Sequence, residues 1–340
     1  MWKGFSSKFK GGKAHSSPSA EIGVSCAKMM KAMTSRARRG LASGWRNQWP
    51  LQTLVLPWIV WLAVFCYVPM YGVVLAFKDF NYAQGILGSP WAGWTHFRMF
   101  MDSPDFLTIL RNTLSVSFLK LLCGFPVPIV FALLINELAG GRFKKFVQSV
   151  SYLPHFLSWV LVSGIVIRLL SIDGGAVNKL LTSLGIVPEP IMFLGDPNYF
   201  WGVLVLSDIW KEFGWSSILY LAAIANVPQD MYEAAMVDGA GRFQRMLRVT
   251  LPSIAPTIVI VFIFSLSGVM HSNFEQVYLL KNPMVDSVGE VIDTYIFTVG
   301  ISQARYSYAT AVSLFQAAIG FVLIISTNWL SKRISGHGIW

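Results

Sequence analysis

Residues 230–252 read DMYEAAMVDGAGRFQRMLRVTLP, a charged stretch bearing alanine and glycine between two long apolar runs. The surrounding chain of 340 residues is 54% hydrophobic and only 13% charged, too apolar for a soluble domain of that length. A polar insert in such a chain belongs in water. A helix capped by Asn226, with Pro228 second and Gln229 third, and ended by a left-handed turn at Gly239 or Gly241, has about 12 residues. At about 18 Å it is too short, and too polar, to cross a bilayer. Tyr232, Ala235, Met236 and Gly239 fall on one face, where the small residues permit close approach, and Glu233 is left to meet a basic partner. Arg242, Arg245 and Arg248 return along the headgroup layer, and Thr250 with Pro252 opens the next apolar run. Two readings fit this stretch: a docking lever for another protein, or a solvated amphipathic connector.

Outward from the insert, six runs are long enough to span about 30 Å of hydrocarbon as helix. They cover approximately residues 54–77, 106–136, 151–170, 200–225, 251–280 and 309–330. Pro126 and Pro128 remove two backbone donors from the second run, so a kink is expected there. The organisation expected is a basic segment at 1–53, a first span with an outer loop at 54–105, a core of five spans at 106–332 with the insert at about 227–252, and a tail at 333–340.

Charge sets the direction. With the N-terminus inside, the cytosolic segments hold 10, 3, 3 and 2 Lys and Arg, against 2, 1 and 2 in the opposite loops. Both termini and the insert are therefore expected on the cytosolic side. The first fifty residues lack the apolar core and cleavage site of a signal peptide, which predicts uncleaved insertion. Within them CAKMMKAMTSRARR, residues 26–39, reads either as an interfacial basic helix or as a tail without fixed structure. Trp45, Trp49, Trp58, Trp61, Trp91 and Trp94 lie near expected interfaces and read mostly as anchors. Cys26, Cys66 and Cys123 are scattered, suggesting neither a disulfide framework nor a metal cluster. GGRFKKF, residues 140–146, is glycine-basic but lacks the spacing of a phosphate-binding loop and reads as a positive cytosolic turn. No other phosphate cradle is present in the sequence, so ATP hydrolysis is not expected of this chain.

Ionisable residues inside spans usually face a cavity or a partner. The fourth run offers Asp208, Lys211, Glu212 and Trp215 at i, i+3, i+4 and i+7, one helical face. The fifth offers Gly268, His271, Ser272 and Glu275 in the same pattern, with Asn273 and Gln276 beside it. These faces either line a path for a hydroxyl-rich solute, with Trp215 or Tyr220 against its rings, or form buried pairs that hold the bundle. Lys120, Arg168 and Arg111 could likewise receive an anionic solute, snorkel, or pair with another subunit.

Glu233, Ala234, Ala235 and Gly239, followed by Val249, Leu251 and Pro252, match the spacing of the EAA loop of ATP-binding-cassette importer permeases; Val249 stands where that family usually has isoleucine. FCYVPMYGVVLAFKDFN, GILGSPWAGW, RNTLSVSFLKLLCGFPVPIVFALLINEL, SYLPHFLSWV, IWKEFGWSSILYLAAI and VIDTYIF extend the resemblance over nearly the whole chain after residue 53. They are similar to the oligosaccharide and polysaccharide branch of type I importer permeases, the maltose-type superfamily. The resemblance implies an all-α integral membrane protein of six transmembrane helices with a cytosolic coupling helix between spans four and five. It assigns contact with an ATPase to Glu233, Ala234, Ala235 and Gly239. It implies a second homologous permease, two ATPase subunits that bind ATP and Mg, and an extracytoplasmic solute-binding protein. The chain itself is expected to have no catalytic residue, cofactor or metal. The implied solute is an oligo- or polysaccharide, alginate or another acidic glycan among the possibilities. An ion-coupled secondary sugar transporter using Asp208, Glu212 and Glu275 is the alternative from another class, though the two halves show no clear repeat. A membrane enzyme acting on lipid-linked sugar would need a clustered constellation near one interface, and the acidic residues are dispersed.

Overall fold

The computed structural model describes residues 49–138 and 140–335. Most of the basic N-terminal segment, Cys26, the 26–39 stretch and the end of the C-terminal tail lie outside the described residues. Among the described residues the regular elements are helices, with one isolated antiparallel bridge between Lys78 and Trp91. The described residues divide into two units, with the boundary between Tyr71 and Gly72. In the first, helix α1 (Trp49–Leu62) continues through a π turn at Ala63–Tyr67 to Val68–Met70. Its apolar residues are exposed all round, Leu54, Trp58 and Phe65 among them, as a helix surrounded by lipid requires.

The second unit contains α2 (Phe106–Gly124) and α3 (Pro126–Glu137), separated at Phe125 where Pro126 and Pro128 withdraw their donors. After Gly140, whose φ is 97°, α4 (Gly141–Tyr152) forms, so residues 141–146 are helix and not the turn expected of them. A 3-10 turn at Leu153–Phe156 and an extended Leu157 then lead to α5 (Trp159–Leu170), bent 100° from the preceding helical stretch. Pro154 lacks the donor needed to continue α4, and the Ser158 hydroxyl caps α5 by accepting from the Leu161 amide at 3.4 Å. The expected third span over 151–170 is thus only the 12-residue α5, about 18 Å long, preceded by a nearly perpendicular helix.

Helix α6 (Pro197–Ala225) has 29 residues, about 43 Å, and packs against α2, α3 and α4. Its start is set by Pro197 and by the Asp196 carboxylate, which accepts from the Asn198 amide at 2.9 Å. Gly214 is essential to the packing: a Cβ there would lie 2.0 Å from the Ser151 carbonyl oxygen, so α4 rests directly on the α6 backbone. Helix α7 (Gln229–Val237) follows, then a turn of helix at Arg242–Arg245, a π turn at Met246–Thr250 and α8 (Leu251–Ser267). The expected fifth span stops here. Residues 268–273 are non-helical, Asn273 adopts a left-handed φ of 62°, and the chain resumes as the short α9 (Phe274–Leu280). Helix α10 (Ile292–Phe297) and the long α11 (Tyr306–Ser335) complete the unit.

Among the described residues four helical stretches are long and apolar enough to cross a membrane, at Gln52–Phe77, Phe106–Glu137, Arg242–Leu266 and Tyr306–Trp329, and the bent pair around α4 and α5 makes a fifth if taken as one span. Helix α6 has the length, but Asp208, Lys211 and Glu212 interrupt its apolar character. Among the described residues four buried clusters form the core: Ile109, Phe100, Ile292 and Tyr308; Val116, Phe200, Leu204 and Val277; Leu133, Tyr220, Ile224 and Ile254; and Ala76, Phe97 and Ala311. Each joins segments distant in sequence, and α6 contributes to two of them.

Candidate functional site

The polar insert is a nine-residue helix, Gln229–Val237, about 14 Å long, rather than the 12 residues expected from an Asn226 cap. Asn226 instead closes α6, its side-chain amide donating to the Ala222 carbonyl at 2.8 Å, and extended Pro228 precedes α7. The C-terminus is as the glycine spacing predicts. Gly239 has φ 80°, its amide donates to Met236 O at 3.0 Å, and the Ala240 amide donates to Ala235 O at 2.9 Å, a Schellman closure. Tyr232 roots the helix: its hydroxyl lies 3.0 Å from Thr250 Oγ1, and its ring packs beside buried Ile254. Ala235 is half-buried on the same side. Glu233, Ala234, Met236 and Gly239 are exposed, and Val237 is 88% exposed. The insert therefore has one face fixed to the start of α8 and another, apolar with a carboxylate, turned outward.

The second site is a cavity of about 300 Å³ between α2, α3, α6 and α8. Asp208, Glu212 and His271 line it, with Lys120, Ser216, Ser265, Tyr220, Phe213 and Phe264. Lys211, Trp215, Ser272, Asn273 and Glu275 are not in its wall, so the two helical faces expected to act together are split. Lys211 turns to the 153–156 corner, donating to His155 O at 2.8 Å and to Glu212 Oε1 at 3.1 Å. His155 Nδ1 lies 2.7 Å from the other Glu212 oxygen, and its ring stacks on Trp215 with centroids 4.5 Å apart. Glu275 and Asn273 stand at the start of α9, with Glu275 exposed. His271 is the open group: its side chain is 71% exposed, 3.6 Å from Asp293 Oδ1.

Along one face of α2, Asn112, Thr113, Ser117 and Lys120 form a polar seam with the interrupted region after α8. The Asn112 amide donates to Ser287 O and Glu290 O, both at 3.1 Å, and Thr113 Oγ1 accepts from the Ile292 amide at 2.9 Å. Ser117 Oγ meets Ser272 Oγ at 3.1 Å. Lys120 Nζ donates to Ser272 O at 3.1 Å, lies 3.4 Å from Asp208 Oδ1, and bonds Gln276 Oε1. Gln276 passes the connection to α6 through Leu204 O at 2.7 Å and Ser207 Oγ at 2.8 Å. Asp293 adds Oδ2 to the Ser272 amide at 3.0 Å, while its Oδ1 accepts from Gln316. Away from water, irregular backbone persists only where protein groups satisfy it, and the seam supplies those groups to the break at 268–273. Lys120 is thus a tether and not a lone cation; Arg111 bonds Asn112 and Ser287 O, and Arg168 is exposed. Ser117, His155, Asp293 and Gln316 were not singled out by the sequence. The signal for Ser117 was present: Asn112, Thr113, Ser117 and Lys120 share the face of an otherwise apolar helix.

Beyond α9, Lys281 bonds Glu290 and lies 3.2 Å from Asp286. Burial opposes its charge, but the two carboxylates outweigh that cost and hold its pKa above the ordinary lysine value.

Residues 124–336 match the model of the family described as binding-protein-dependent transport system inner membrane component. The chain is 43% identical over 295 residues to Protein LplB of Bacillus subtilis (strain 168), covering 87% of this chain and 92% of the relative. It is 44% identical over 290 residues to the polygalacturonan/rhamnogalacturonan transport system permease protein YteP of the same organism, covering 85% and 90%. Among solved structures it is similar, at 40% identity and a TM-score of 0.79, to a chain of a bacterial ABC transporter involved in the import of the acidic polysaccharide alginate, covering 87% of this chain and 99% of that one. A chain of a bacterial alginate ABC transporter in complex with alginate pentasaccharide-bound periplasmic protein gives 39% identity and a TM-score of 0.80, covering 88% and 100%.

Proposed function

The chain belongs to the family of binding-protein-dependent transport system inner membrane components, and from that premise we propose that it is a permease subunit of an ATP-driven importer of acidic oligosaccharides. It is non-catalytic. A second homologous permease completes the membrane path, two ATPase subunits bind ATP and Mg, and an extracytoplasmic binding protein delivers the sugar. The chain sits in a bacterial inner membrane with both termini cytosolic, the direction favoured by the Lys and Arg distribution.

The observation that carries the reading is α7, a short water-exposed helix rooted by Tyr232 in the segment that opens α8. Glu233, Ala234, Ala235 and Gly239 meet the ATPase, and Met236 and Val237 add apolar contact area. Closure of the ATPases on ATP moves α7, and with it α8 and the core around Tyr220 and Ile254, switching the cavity between the two sides. Asp208, Glu212 and His271 face the sugar, whose hydroxyls need carboxylate and imidazole partners. Lys211 and Trp215 hold Glu212 in place directly and through His155, and Ser272 binds Asp293 beside His271. Uronate polymers are favoured because two similar proteins, the YteP permease and the alginate importer chain, are named for polygalacturonan/rhamnogalacturonan and alginate.

The test is ATP hydrolysis by the reconstituted complex with its binding protein, across neutral and uronate oligosaccharides of matched length. Stimulation by the uronates is expected. Stimulation confined to neutral sugars overturns the substrate class, and sugar uptake with no ATPase bound overturns the importer reading.

A further inference from the structure

Helix α4 has no role in the mechanism above, and its composition is unlike that of any neighbouring segment. Phe143, Phe146 and Val150, at i, i+3 and i+7, are 58%, 64% and 53% exposed. Arg142 borders that stripe, Lys145 is exposed on the turn beyond it, Lys144 is half-buried, and no Asp or Glu occurs between Glu137 and Asp173. An adjoining side is occupied: Val147, Gln148 and Ser151 are half-buried, and the Ser151 backbone lies against Gly214 of α6. The 100° bend into the apolar α5 turns α4 close to the membrane plane wherever α5 runs along the bilayer normal. The exposed apolar residues continue across the bend through Leu153 and Phe156 to Val160, Leu161 and Ile165 of α5.

We propose that α4 is a membrane-surface helix that binds anionic phospholipid headgroups through Arg142, Lys144 and Lys145 and lays Phe143, Phe146 and Val150 among the acyl chains. An aromatic stripe bordered by cations, with no acidic residue nearby, is the chemistry of an interfacial helix on an anionic leaflet. Long basic side chains reach the headgroups while their stems lie along the apolar surface. The bend gives this contact a route inward. His155 in the corner is held by Glu212, which lines the cavity, so the lipid that seats α4 also steadies a cavity wall. The inference requires only that the chain is membrane-embedded and does not depend on the identity of the sugar.

The experiment uses the assembled transporter in nanodiscs of phosphatidylcholine with or without phosphatidylglycerol, with an environment-sensitive fluorophore on Phe146→Cys after Cys26, Cys66 and Cys123 are replaced by serine. Quenching by doxyl-labelled lipid and protection from iodide are expected. Quenching by iodide, or by neither agent, overturns the proposal, the latter because a protein subunit would then cover the stripe. Native mass spectrometry of the complex reads the headgroup contact. Arg142→Glu with Lys144→Glu and Lys145→Glu should lower phosphatidylglycerol retention at least about tenfold, whereas Arg142→Lys with Lys144→Arg and Lys145→Arg should keep it. If the triple reversal fails to assemble, Lys145→Glu alone should lower retention up to about fivefold. Unchanged retention in a reversal variant that assembles overturns the assignment of the cations.

Discussion

The α2 seam and α7 both place polar and charged groups beside apolar structure, and they treat those groups in opposite ways. In the seam each named side chain has a partner across the bundle: Asn112, Thr113, Ser117 and Lys120 bind the chain from Ser272 to Ile292. On α7, among the described residues, Tyr232 alone has a side-chain bond that ties the helix down, while Glu233, Met236 and Val237 face outward. An unpaired buried polar group is costly, so the seam's groups are there to be satisfied within the chain. An exposed carboxylate costs little to leave open, so α7 can hold contacts in reserve for another subunit. If this is right, substitutions in the seam damage folding and transport together, and substitutions on the outer face of α7 damage transport alone.

The sharpest attack on the seam is Lys120→Met, which leaves Asp208 without its ammonium and removes a donor from Ser272 O and Gln276. A loss of about 1.5–3 kcal/mol is expected, because a partly buried carboxylate and two buried acceptors lose a charged donor. Thermal unfolding of the purified complex measures it, and adding Asp208→Asn should restore part of the loss. No gain from the second substitution would mean that Asp208 is not held by Lys120. Gly214→Ala tests the bundle without touching charge. Its new methyl would fall 2.0 Å from a backbone oxygen, so α4 must shift, at about 1–3 kcal/mol.

Smaller effects follow where the two regions begin to differ. Tyr232→Phe removes the hydroxyl contact to Thr250 and should cost about 0.5–1.5 kcal/mol by the same thermal measurement, with a loss of coupling between ATP hydrolysis and uptake. Lys281 gives a pH signature. Its pKa is raised in the folded chain, so its stabilisation is complete below the ordinary value of 10.5 and fades as pH rises through the raised one. The wild-type midpoint should fall on that alkaline side by the equivalent of about 1 kcal/mol or less, and Lys281→Met should remove that part of the fall.

The difference between the regions also explains what the sequence disclosed. The α7 segment was legible because its signals are local: Gly239 or Gly241 was expected to close the helix in a left-handed turn, as Gly239 does, and the Glu-Ala-Ala spacing needs no tertiary contact to be read. The cap was misplaced because Asn226 satisfies α6 behind it rather than the helix ahead. The apolar runs marked the long helices, but the breaks within them depend on distant groups. Residues 268–273 leave the helix where Lys120, Ser117 and Asp293, from other parts of the chain, are positioned to receive their backbone and hydroxyls. The corner at Leu153–Phe156 likewise depends on Lys211 and Glu212 of α6. Asp208 through Trp215 read as one face by spacing, yet Lys211 and Trp215 were drawn to that corner and away from the cavity.

The last test separates the regions by a near absence of effect on folding. Glu233→Lys reverses the charge of an exposed side chain that has no ion-pair partner among the described residues, so unfolding should move by no more than about 0.5 kcal/mol. Membrane insertion should also be unchanged. Sugar uptake by the assembled importer should nevertheless be abolished, because the new ammonium meets a surface suited to a carboxylate. Uptake at the wild-type rate would show that the outer face of α7 is only a solvated connector. A fall in stability as large as that of Lys120→Met would mean that Glu233 is bound within its own subunit, and the contrast between the two regions would fail.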